Sequence, residues 1–441
     1  MKRTGSLCII GLVALCSSSA WSAQWRAGIA RTEITPGENL WMAGYAAREH
    51  PAEGSVHPLW AKALVLEDQR GGRVAIVTVD AIGFTRKMAD AVGARVQAHT
   101  GIRRESVLLN ASHTHCGPVL GAAAPDVTYG LDEQQQAAVD AHVRQLEDQL
   151  VKLIEEACAG MVPATLAYGE GEATFAANRR NQDGPVDHRV PLLRISDEDG
   201  RLLAVLFGYA CHNTTLGSDC YRYNGDYAGF AQLAFEAAHP GATAMFMTGC
   251  GADSNPAPRG KLELAQQHGK SLAAAVDRAL AQNLHPVKGP LAVAFERVDL
   301  PFVDPPTKEE LDRRRGKGDV YDQRLTERLL KRITDHGSLE GVYPYPVQVV
   351  RFGDDLSLIA LAGEVVVDYA LLLRKRFEGQ RIWVAGYCNE VFAYVPSERI
   401  LKEGGYEGGG AMRYFGWHGP FQFGVENRVV GLVEKLMQAP R

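Results

Sequence analysis

The chain has 441 residues, of which 46% are hydrophobic and 22% charged, a balance that is ordinary for a globular protein with a large buried core. Its length allows one large domain or up to about three. The formal net charge of −5, with no run of Lys and Arg interleaved with aromatic residues, argues against a nucleic-acid-binding protein.

Residues 1–23 have the pattern of a secretory signal peptide. Lys2 and Arg3 precede an apolar run from Leu7 to Leu15, and small residues follow it. The run is too short to cross a bilayer, and no other stretch reaches roughly 18 uninterrupted apolar residues, so we expect no transmembrane segment. The mature chain, residues 24–441, is therefore predicted to be secreted or periplasmic.

Apolar runs and helical periodicity alternate along the mature chain. Strands are predicted at 61–66, 74–79, 107–110, 190–195, 203–209, 242–246 and 291–298, and a hairpin at 347–352 and 356–360. Helices are predicted at 86–99, 132–157, 227–238, 262–281, 365–377 and 425–437. This order indicates an α/β fold of mixed β-sheets flanked by helices, in a single large domain.

The segment 305–345 is highly charged and is predicted to be an exposed helical insertion. Two interpretations are open for it. It can form a lid over a functional site, or it can be a solvated helix pair with no such role. Its many charges favour the second interpretation.

A histidine pair follows the predicted strand at 107–110. His113 and His115 are two residues apart, and side chains with that spacing in an extended segment point to the same face. Neutral imidazole is a common zinc ligand, so the pair predicts part of a metal site. The alternative is a pair of surface or hydrogen-bonded histidines, since His-x-His alone is a weak signal.

Two further polar residues end apolar strands. His212 follows the strand at 203–209, and Glu364 follows the second strand of the hairpin. Because ligands of open α/β sheets bind at the carboxyl ends of strands, these positions are compatible with one cleft shared with His113. For Glu364 the alternative is capping of the next helix, which needs no metal.

Six cysteines follow the predicted signal peptide: Cys116, Cys158, Cys211, Cys220, Cys250 and Cys388. Some should pair in an oxidising compartment, and Cys211 and Cys220 are the nearest couple in sequence. Spacing does not give the connectivity. Disulfides can brace the site, or buried thiols can pack behind it.

Taken together, the motifs resemble the catalytic domain of the neutral, non-lysosomal ceramidases, zinc-dependent amidases that cleave the N-acyl bond of ceramide. The resemblance covers nearly the whole mature chain. It rests on residues 27–36, 42–45, 113–118, 178–179, 225–229 and 362–364, and on the glycine-rich loop that contains Tyr394 and Tyr406.

The resemblance implies a zinc site and a pocket around it. Its zinc ligands would be His113, His212, Glu364 and Tyr394. His115 would act beside the metal as an acid/base or hydrogen-bond donor, while Arg179 and Tyr406 would stabilise an oxyanion. The alternatives are a ligand-orienting role for His115 and a structural ion pair for Arg179.

The chain departs from the family in two respects. The family has a catalytic serine in a Gly-Asp-x-Ser-Pro-Asn stretch, whereas this chain reads Gly251-Ala-Asp-Ser-Asn-Pro256. Ser254 or Asn255 matches the serine, depending on register, and we favour Asn255 because that register keeps the flanking Asp253 and Pro256. Asn255 cannot be a hydroxyl nucleophile, although its amide can donate a hydrogen bond to a substrate carbonyl, so the chemistry should depend on zinc-bound water. Ceramidases of this family have a further C-terminal domain, whereas this sequence ends soon after the predicted helix at 425–437, so we do not expect long-chain lipid binding at a membrane surface.

These observations predict a zinc-dependent hydrolase of linear amides, with ceramide or a smaller N-acylated amine as substrate. A deacylase of N-acylated amino sugars is the alternative enzyme. An inactive ligand-binding relative is the non-enzyme alternative, although all four candidate ligands are present. An amidohydrolase barrel is disfavoured because its His-x-His belongs on the first strand.

Overall fold

The computed structural model describes residues 24–439. The predicted signal peptide at 1–23 lies outside them, so it remains a prediction, as does the secreted or periplasmic location that depends on it. No helix within the described range is long and apolar enough to cross a membrane.

The strands and helices of this range are numbered in chain order. The strands are β1 (Trp25–Glu33), β2 (Trp60–Asp68), β3 (Arg73–Val79), β4 (Val107–Ala111), β5 (Val162–Glu172), β6 (Ala176–Asn178), β7 (Arg189–Ser196), β8 (Leu202–Tyr209), β9 (Thr243–Thr248), β10 (Ser254–Pro256), β11 (His285–Val287), β12 (Leu291–Pro301), β13 (Val342–Phe352), β14 (Leu356–Leu361), β15 (Glu364–Val365), β16 (Ile382–Ala385) and β17 (Tyr394–Val395). The helices are α1 (Arg86–Thr100), α2 (Pro125–Thr128), α3 (Glu133–Ala159), α4 (Asp226–Ala238), α5 (Leu262–Leu280), α6 (Lys308–Arg314), α7 (Val320–His336), α8 (Val367–Arg376), α9 (Glu398–Glu403) and α10 (Val425–Met437).

Nine strands form one large mixed sheet, in the order β4-β3-β2-β1-β5-β7-β8-β9, with β11 beside β5. Its outer pairs, β3 with β4 and β8 with β9, are parallel, and the pairs between them are antiparallel. The two outermost strands, β4 and β9, also contact each other. The sheet therefore curves until its edges meet, and the carboxyl ends of β4 and β8 come to one place.

A second sheet has the order β12-β13-β14-β16, in which β14 and β16 are parallel. Its residues Val350, Phe352, Leu358 and Trp383 share a buried apolar cluster with residues of the large sheet such as Leu206. The carboxyl ends of β14 and β16 lie beside the meeting edges, because Ala385 bridges to Gly249 and Cys388 to Asn110.

Helices cover the other faces. The long helix α3 begins with a capping box in which Asp132 accepts from the Gln135 amide, and its apolar face packs on β1 and β2. Gly28 of β1 permits this approach, because a Cβ there would lie 1.8 Å from the Ala157 carbonyl oxygen. Helices α4 and α5 pack on each other and on the far half of the large sheet.

The α/β fold of mixed sheets flanked by helices is confirmed. Most predicted strands and helices match observed ones to within about two residues at each end, but β12 ends three residues later than predicted and β13 begins five residues earlier. Strands β1 and β5 were not predicted. In β1, Arg and Thr interrupt the apolar alternation, and β5 contains Pro163 and two glycines, residue types that are depleted in strands. Tertiary pairing overrides these weak local preferences.

The charged segment 305–345 forms helices α6 and α7, and its last residues belong to β13. The outward face of these two helices is exposed to solvent, as the sequence predicts. The inner face has its own small apolar cluster, with Leu311, Leu329 and Leu330. Tyr321 of α7 also lines a cavity of the candidate site. A solvated helix pair with no role at the site is thus an incomplete interpretation.

Candidate metal centre

Three polar residues lie two or three residues beyond strand ends and meet at one point, and one of them, Glu364, begins β15. His113 follows β4, His212 follows β8, and Glu364 follows β14. The Glu364 Oε2 atom lies 3.2 Å from His113 Nε2 and 3.1 Å from His212 Nε2. All three side chains are buried. The predicted common cleft is therefore present in the structure.

The predicted extended conformation of the segment that carries His113 and His115 is wrong. His113 is not in an extended segment: it has a φ of 59°, in the left-handed region. The two rings nevertheless meet, with His115 Nε2 lying 3.2 Å from His113 Nε2. A turn of the loop, rather than strand alternation, brings them together.

Both strand-end histidines are oriented by main-chain carbonyls. His113 Nδ1 lies 2.6 Å from the Ile82 oxygen, and His212 Nδ1 lies 3.1 Å from the Gly251 oxygen. Donation from Nδ1 leaves Nε2 as the unprotonated nitrogen on each ring, which is the usual arrangement of metal-binding histidine. Both Nε2 atoms then face Glu364.

The central carboxylate oxygen has no well-aligned hydrogen-bond donor. Glu364 Oε2 is buried and makes no hydrogen bond within the described residues, despite its short distances to the two imidazoles. A buried charged acceptor of this kind is costly unless it is paired or coordinates a metal. The donor set of two imidazole nitrogens and one carboxylate oxygen fits a cation such as zinc.

Burial and charge set the protonation of this cluster. Burial lowers the pKa of His212 to about 4 and that of His115 well below its usual value, so both rings are neutral at neutral pH. In the absence of a metal, burial alone would raise the pKa of Glu364, but attraction to His113 and His212 with a proton on Nε2 holds it well below its usual range. A metal ion would take the place of that proton. Neutral imidazoles around an ionised carboxylate are the forms that bind a metal ion.

His115 differs from the other two histidines. The ligand nitrogens of His113, His115 and His212 lie within 4.8 Å of one another, so His115 is a further ligand candidate. Its Nδ1 is buried and has no partner in the described part of the chain. The ring packs against Tyr45, and Gly44 makes room for it because a Cβ there would lie 2.4 Å from the ring.

Tyr394 and Arg179 lie next to the cluster. The Tyr394 hydroxyl is 3.4 Å from His212 Nε2 and accepts a hydrogen bond from Arg179 Nη2 at 3.0 Å. Arg179 Nε donates to Glu407 at 2.7 Å, so the ion pair considered for Arg179 exists alongside its contact with the site. Its guanidinium also lies 5.7 Å from the centre of the Tyr406 ring.

Glu407 was missed in the sequence, although it adjoins Tyr406. It is buried and paired with both Arg179 and Arg180. Burial alone would raise its pKa, but the two guanidinium groups keep it below the usual value. A carboxylate within a glycine-rich aromatic loop is the signal that could have identified it, and it holds Arg179 in place.

Ser254 and Asn255 are in β10, which is hydrogen-bonded to the main chain of His212. The main-chain oxygen of Ser254 accepts a hydrogen bond from the His212 amide at 3.0 Å, and its buried hydroxyl has no partner within residues 24–439. Asn255 Oδ1 accepts from the Thr214 hydroxyl at 3.2 Å. Both residues are thus placed next to a ligand candidate, and the register of this loop remains a prediction.

A cavity of about 440 Å³ opens from the cluster. Its wall includes His113, His115, Glu364 and Tyr394, together with six aromatic side chains, those of Tyr45, Tyr129, Tyr321, Tyr406, Tyr414 and Phe415. Three of the hydroxyls are bound to main chain: Tyr45 donates to Leu216, Tyr321 donates to Ala46, and Tyr129 accepts from Gly44. The cavity therefore presents mostly aromatic ring surface.

Comparison with known proteins identifies the family. Residues 25–257 match the family described as neutral/alkaline non-lysosomal ceramidase, N-terminal. The match spans more than half of the chain, so this chain belongs to the neutral/alkaline non-lysosomal ceramidase family.

Individual relatives agree with this assignment. The neutral ceramidase of Pseudomonas aeruginosa is 28% identical over 232 residues, which cover 48% of this chain and 33% of the relative. That of Drosophila pseudoobscura pseudoobscura is 26% identical over 253 residues, covering 54% of this chain and 35% of the relative. The matched part of the chain therefore spans only about a third of these curated relatives.

Solved structures show the same fold over most of the chain. A structure described as ceramidase complexed with C2 has a TM-score of 0.73 at 21% identity, covering 94% of this chain and 76% of the other. The crystal structure of neutral ceramidase from Pseudomonas aeruginosa has a TM-score of 0.72 at 22% identity, with coverages of 94% and 75%.

Proposed function

We propose that this member of the ceramidase family is a zinc-dependent hydrolase of linear amides. The observation that carries the proposal is the convergence of His113, His212 and Glu364 from three strand ends, with two unprotonated Nε2 atoms and one carboxylate oxygen facing each other. This donor set would hold a metal ion at a point that the cavity reaches. Names of relatives supply the amide as the substrate class.

The ion would be held by His113, His212 and Glu364, with the Tyr394 hydroxyl as a fourth ligand. Zinc bound in such a set lowers the pKa of water to about 7 and polarises a carbonyl group, which supplies the nucleophile near neutral pH. Burial raises the pKa of Tyr394 well above its usual value, so the group is a neutral phenol in the absence of a metal.

His115 is placed to move a proton. Its ring is buried beside His113 and lines the cavity, and it is neutral at neutral pH because burial lowers its pKa. A neutral imidazole in this position can accept a proton from the attacking group and return it to the leaving amine. The ligand role suggested by its distance to His113 and His212 is the alternative for this residue.

Arg179 and Tyr406 are placed to stabilise negative charge on the substrate carbonyl oxygen. Arg179 is held by Glu407, and its guanidinium lies near both Tyr394 and Tyr406. Arg179 is a donor fixed in advance by Glu407, so it costs no reorganisation when charge develops, whereas Tyr406 is 47% exposed. The amide of Asn255, which lies beside Thr214 in the segment that follows His212, is the second candidate donor to the substrate carbonyl oxygen.

The cavity supports a substrate smaller than long-chain ceramide. A volume of about 440 Å³ is at the lower end of pockets that enclose drug-sized ligands. Its ring surfaces suit an acyl group of short or medium length. Because Tyr45 and Tyr321 already donate to main chain, the cavity offers few donors to sugar hydroxyls, and an amino-sugar deacylase has no specific support.

One experiment tests the proposal. The mature chain, residues 24–441, is analysed for bound metal and assayed on acetyl, hexanoyl and palmitoyl amides of one amine. We expect about one zinc per chain and release of free amine. Bound metal without hydrolysis would show that the protein binds metal but is not an amide hydrolase. Hydrolysis that persists after complete removal of the metal would overturn the zinc mechanism.

A further inference from the structure

The loop that carries His113 and His115 is in contact with a second loop through two cysteines. Cys116 directly follows His115, and Cys220 lies between His212 and α4. Cys220 packs against the buried apolar cluster that contains Cys116, and the two thiols interact electrostatically. The main chains touch as well, since the Asn224 amide donates to the Cys116 oxygen at 3.0 Å. The fold thus brings together two cysteines that are about 100 residues apart in sequence.

The two sulfur atoms differ in access. Cys116 is fully buried, whereas Cys220 is partly exposed and its Sγ accepts from Asn224 Nδ2 at 3.7 Å. The Arg48 guanidinium is fixed beside it by a 3.0 Å hydrogen bond to the Cys220 oxygen. The contact with Cys116 lowers the pKa of Cys220 to about 6, against the opposing effect of burial. An accessible thiol near a cation is the kind that attacks disulfides.

The other four cysteines within residues 24–439 have no comparable arrangement. Cys211, Cys250 and Cys388 are buried, and Cys388 Sγ contacts the Gly386 oxygen and the Asn110 amide instead of another sulfur. Cys158 is partly exposed on α3. Proximity in sequence had pointed to Cys211 with Cys220, but the tertiary contact of Cys220 is with Cys116.

We propose that Cys116 and Cys220 are a disulfide-forming pair that ties the loop at 217–224 to the histidine loop at 113–118. Both are free thiols in the structure, and Asn224 contacts both residues, through the Cys116 oxygen and the Cys220 Sγ. A disulfide then requires the two sulfur atoms to reach an S–S distance of about 2.0 Å. The inference is independent of the proposed hydrolase function, since it depends on neither metal nor substrate.

A small-molecule disulfide such as glutathione disulfide is the oxidant. The Cys220 thiolate attacks one of its sulfurs, forms a mixed disulfide and releases one glutathione thiolate. The Cys116 thiol then loses its proton and displaces the second glutathione. Two protein thiols are oxidised by two electrons, and one glutathione disulfide is reduced to two glutathiones.

The bond would fix one wall of the cavity. Ser218 lines the cavity and lies two residues before Cys220, while His115 lies one residue before Cys116. A cross-link that closes a loop of about 100 residues restricts the unfolded chain strongly, so oxidation should stabilise the folded protein.

The test uses the full mature chain, reduced, freed of reductant and incubated with glutathione disulfide. After free thiols are alkylated, non-reducing peptide mass spectrometry should find the Cys116 and Cys220 peptides joined. The Tm of the oxidised protein should exceed that of the reduced protein by about 3 °C or more. Cys220→Ser should abolish this shift, and Cys158→Ser should retain it.

Three results would overturn the proposal. They are a stable glutathione adduct on Cys220, a cross-link between other cysteines, or alkylation of both thiols with no shift in Tm. Circular dichroism of the reduced Cys220→Ser protein shows whether it is folded. The wild-type peptide map gives an answer even if that variant fails to fold.

Discussion

Asn110 joins the two edges of the large sheet through the main chain of Thr248. Its Oδ1 accepts from the Thr248 amide at 2.9 Å, and its Nδ2 lies 3.4 Å from the Thr248 oxygen and 2.8 Å from the Gly386 oxygen. The side chain is fully buried. One carboxamide thus takes the place of a strand neighbour and holds the ends of β4, β9 and β16 together around the cluster of His113, His212 and Glu364.

Asn110→Leu should therefore destabilise the protein. The change leaves the Thr248 amide buried without this partner, at a cost of about 1–3 kcal/mol, and leaves the Gly386 carbonyl with the weaker Cys388 Sγ contact at 3.2 Å. We expect a loss of about 3 kcal/mol in the free energy of unfolding, measured by urea denaturation. The exposed Asn283→Leu is the matched control and should change it by less than about 0.5 kcal/mol. Equal stability of the two variants would show that the sheet closes without this side chain.

Removal of a ligand should remove the metal. His113→Ala and His212→Ala each delete an Nε2 atom that faces Glu364, so both variants should lose most of the roughly one zinc per chain expected for the wild type. Inductively coupled plasma mass spectrometry measures the occupancy. His239→Ala, a change in a partly exposed ion pair with Asp277, should keep it. Full occupancy in both ligand variants would refute the site.

Two substitutions test whether Ser254 or Asn255 occupies the position of the family serine. If Asn255 donates to the substrate carbonyl, Asn255→Ala should lower kcat/KM by about 10²-fold, while Ser254→Ala should retain most activity. Metal occupancy should stay unchanged in both, which separates this effect from loss of the ion. An inactive Ser254→Ala with normal metal content would instead place the family serine at Ser254.

Tyr321 should limit the length of the acyl group. Its ring forms part of the cavity wall, and its hydroxyl is tied to the Ala46 oxygen at 3.1 Å. We expect wild-type kcat/KM not to rise steeply from hexanoyl to palmitoyl amides, and Tyr321→Ala to shift the preference towards longer chains, at up to about 0.8 kcal/mol per newly buried methylene. Val320→Ala, in the exposed neighbour, is the control. A steep rise towards palmitoyl in the wild type would restore long-chain ceramide as the substrate.

Stability should fall in mild acid because of buried neutral histidines. Burial lowers the pKa of His142 on α3 from its usual 6.5 to about 4. Below pH 6.5 His142 binds a proton in the unfolded chain, whereas in the folded protein it stays neutral down to about pH 4. The free energy of unfolding therefore decreases as the pH falls from 6.5 to 4. The shift corresponds to about 3 kcal/mol for this one group.

His142→Leu should therefore flatten the pH dependence of the free energy of unfolding between pH 6.5 and 4. The exposed His336→Leu should leave that dependence as in the wild type. Urea unfolding at a series of pH values measures both. An unchanged slope in His142→Leu would show that His142 is not the source of the acid sensitivity.

Much of the architecture could be predicted from local pattern. Long apolar runs gave the central strands, and periodic segments with capping residues gave helices such as α3, because both depend on residues close in sequence. His113, His212 and Glu364 could be placed at strand ends for the same reason. The roles of Arg179, Tyr394 and Tyr406 came only from the resemblance to a family, since isolated residues in loops have no spacing that indicates chemistry.

What local pattern alone determined is therefore the elements and the residue types at their ends. Tertiary structure decided which of those ends meet. The closure of the sheet through Asn110, the support of Arg179 by Glu407, the Tyr321 wall and the Cys116–Cys220 contact all join residues about 100 or more apart in sequence. Such contacts depend on strand register and on the packing of whole elements, and the free energy that selects them is spread over the entire core rather than encoded at the residues that touch.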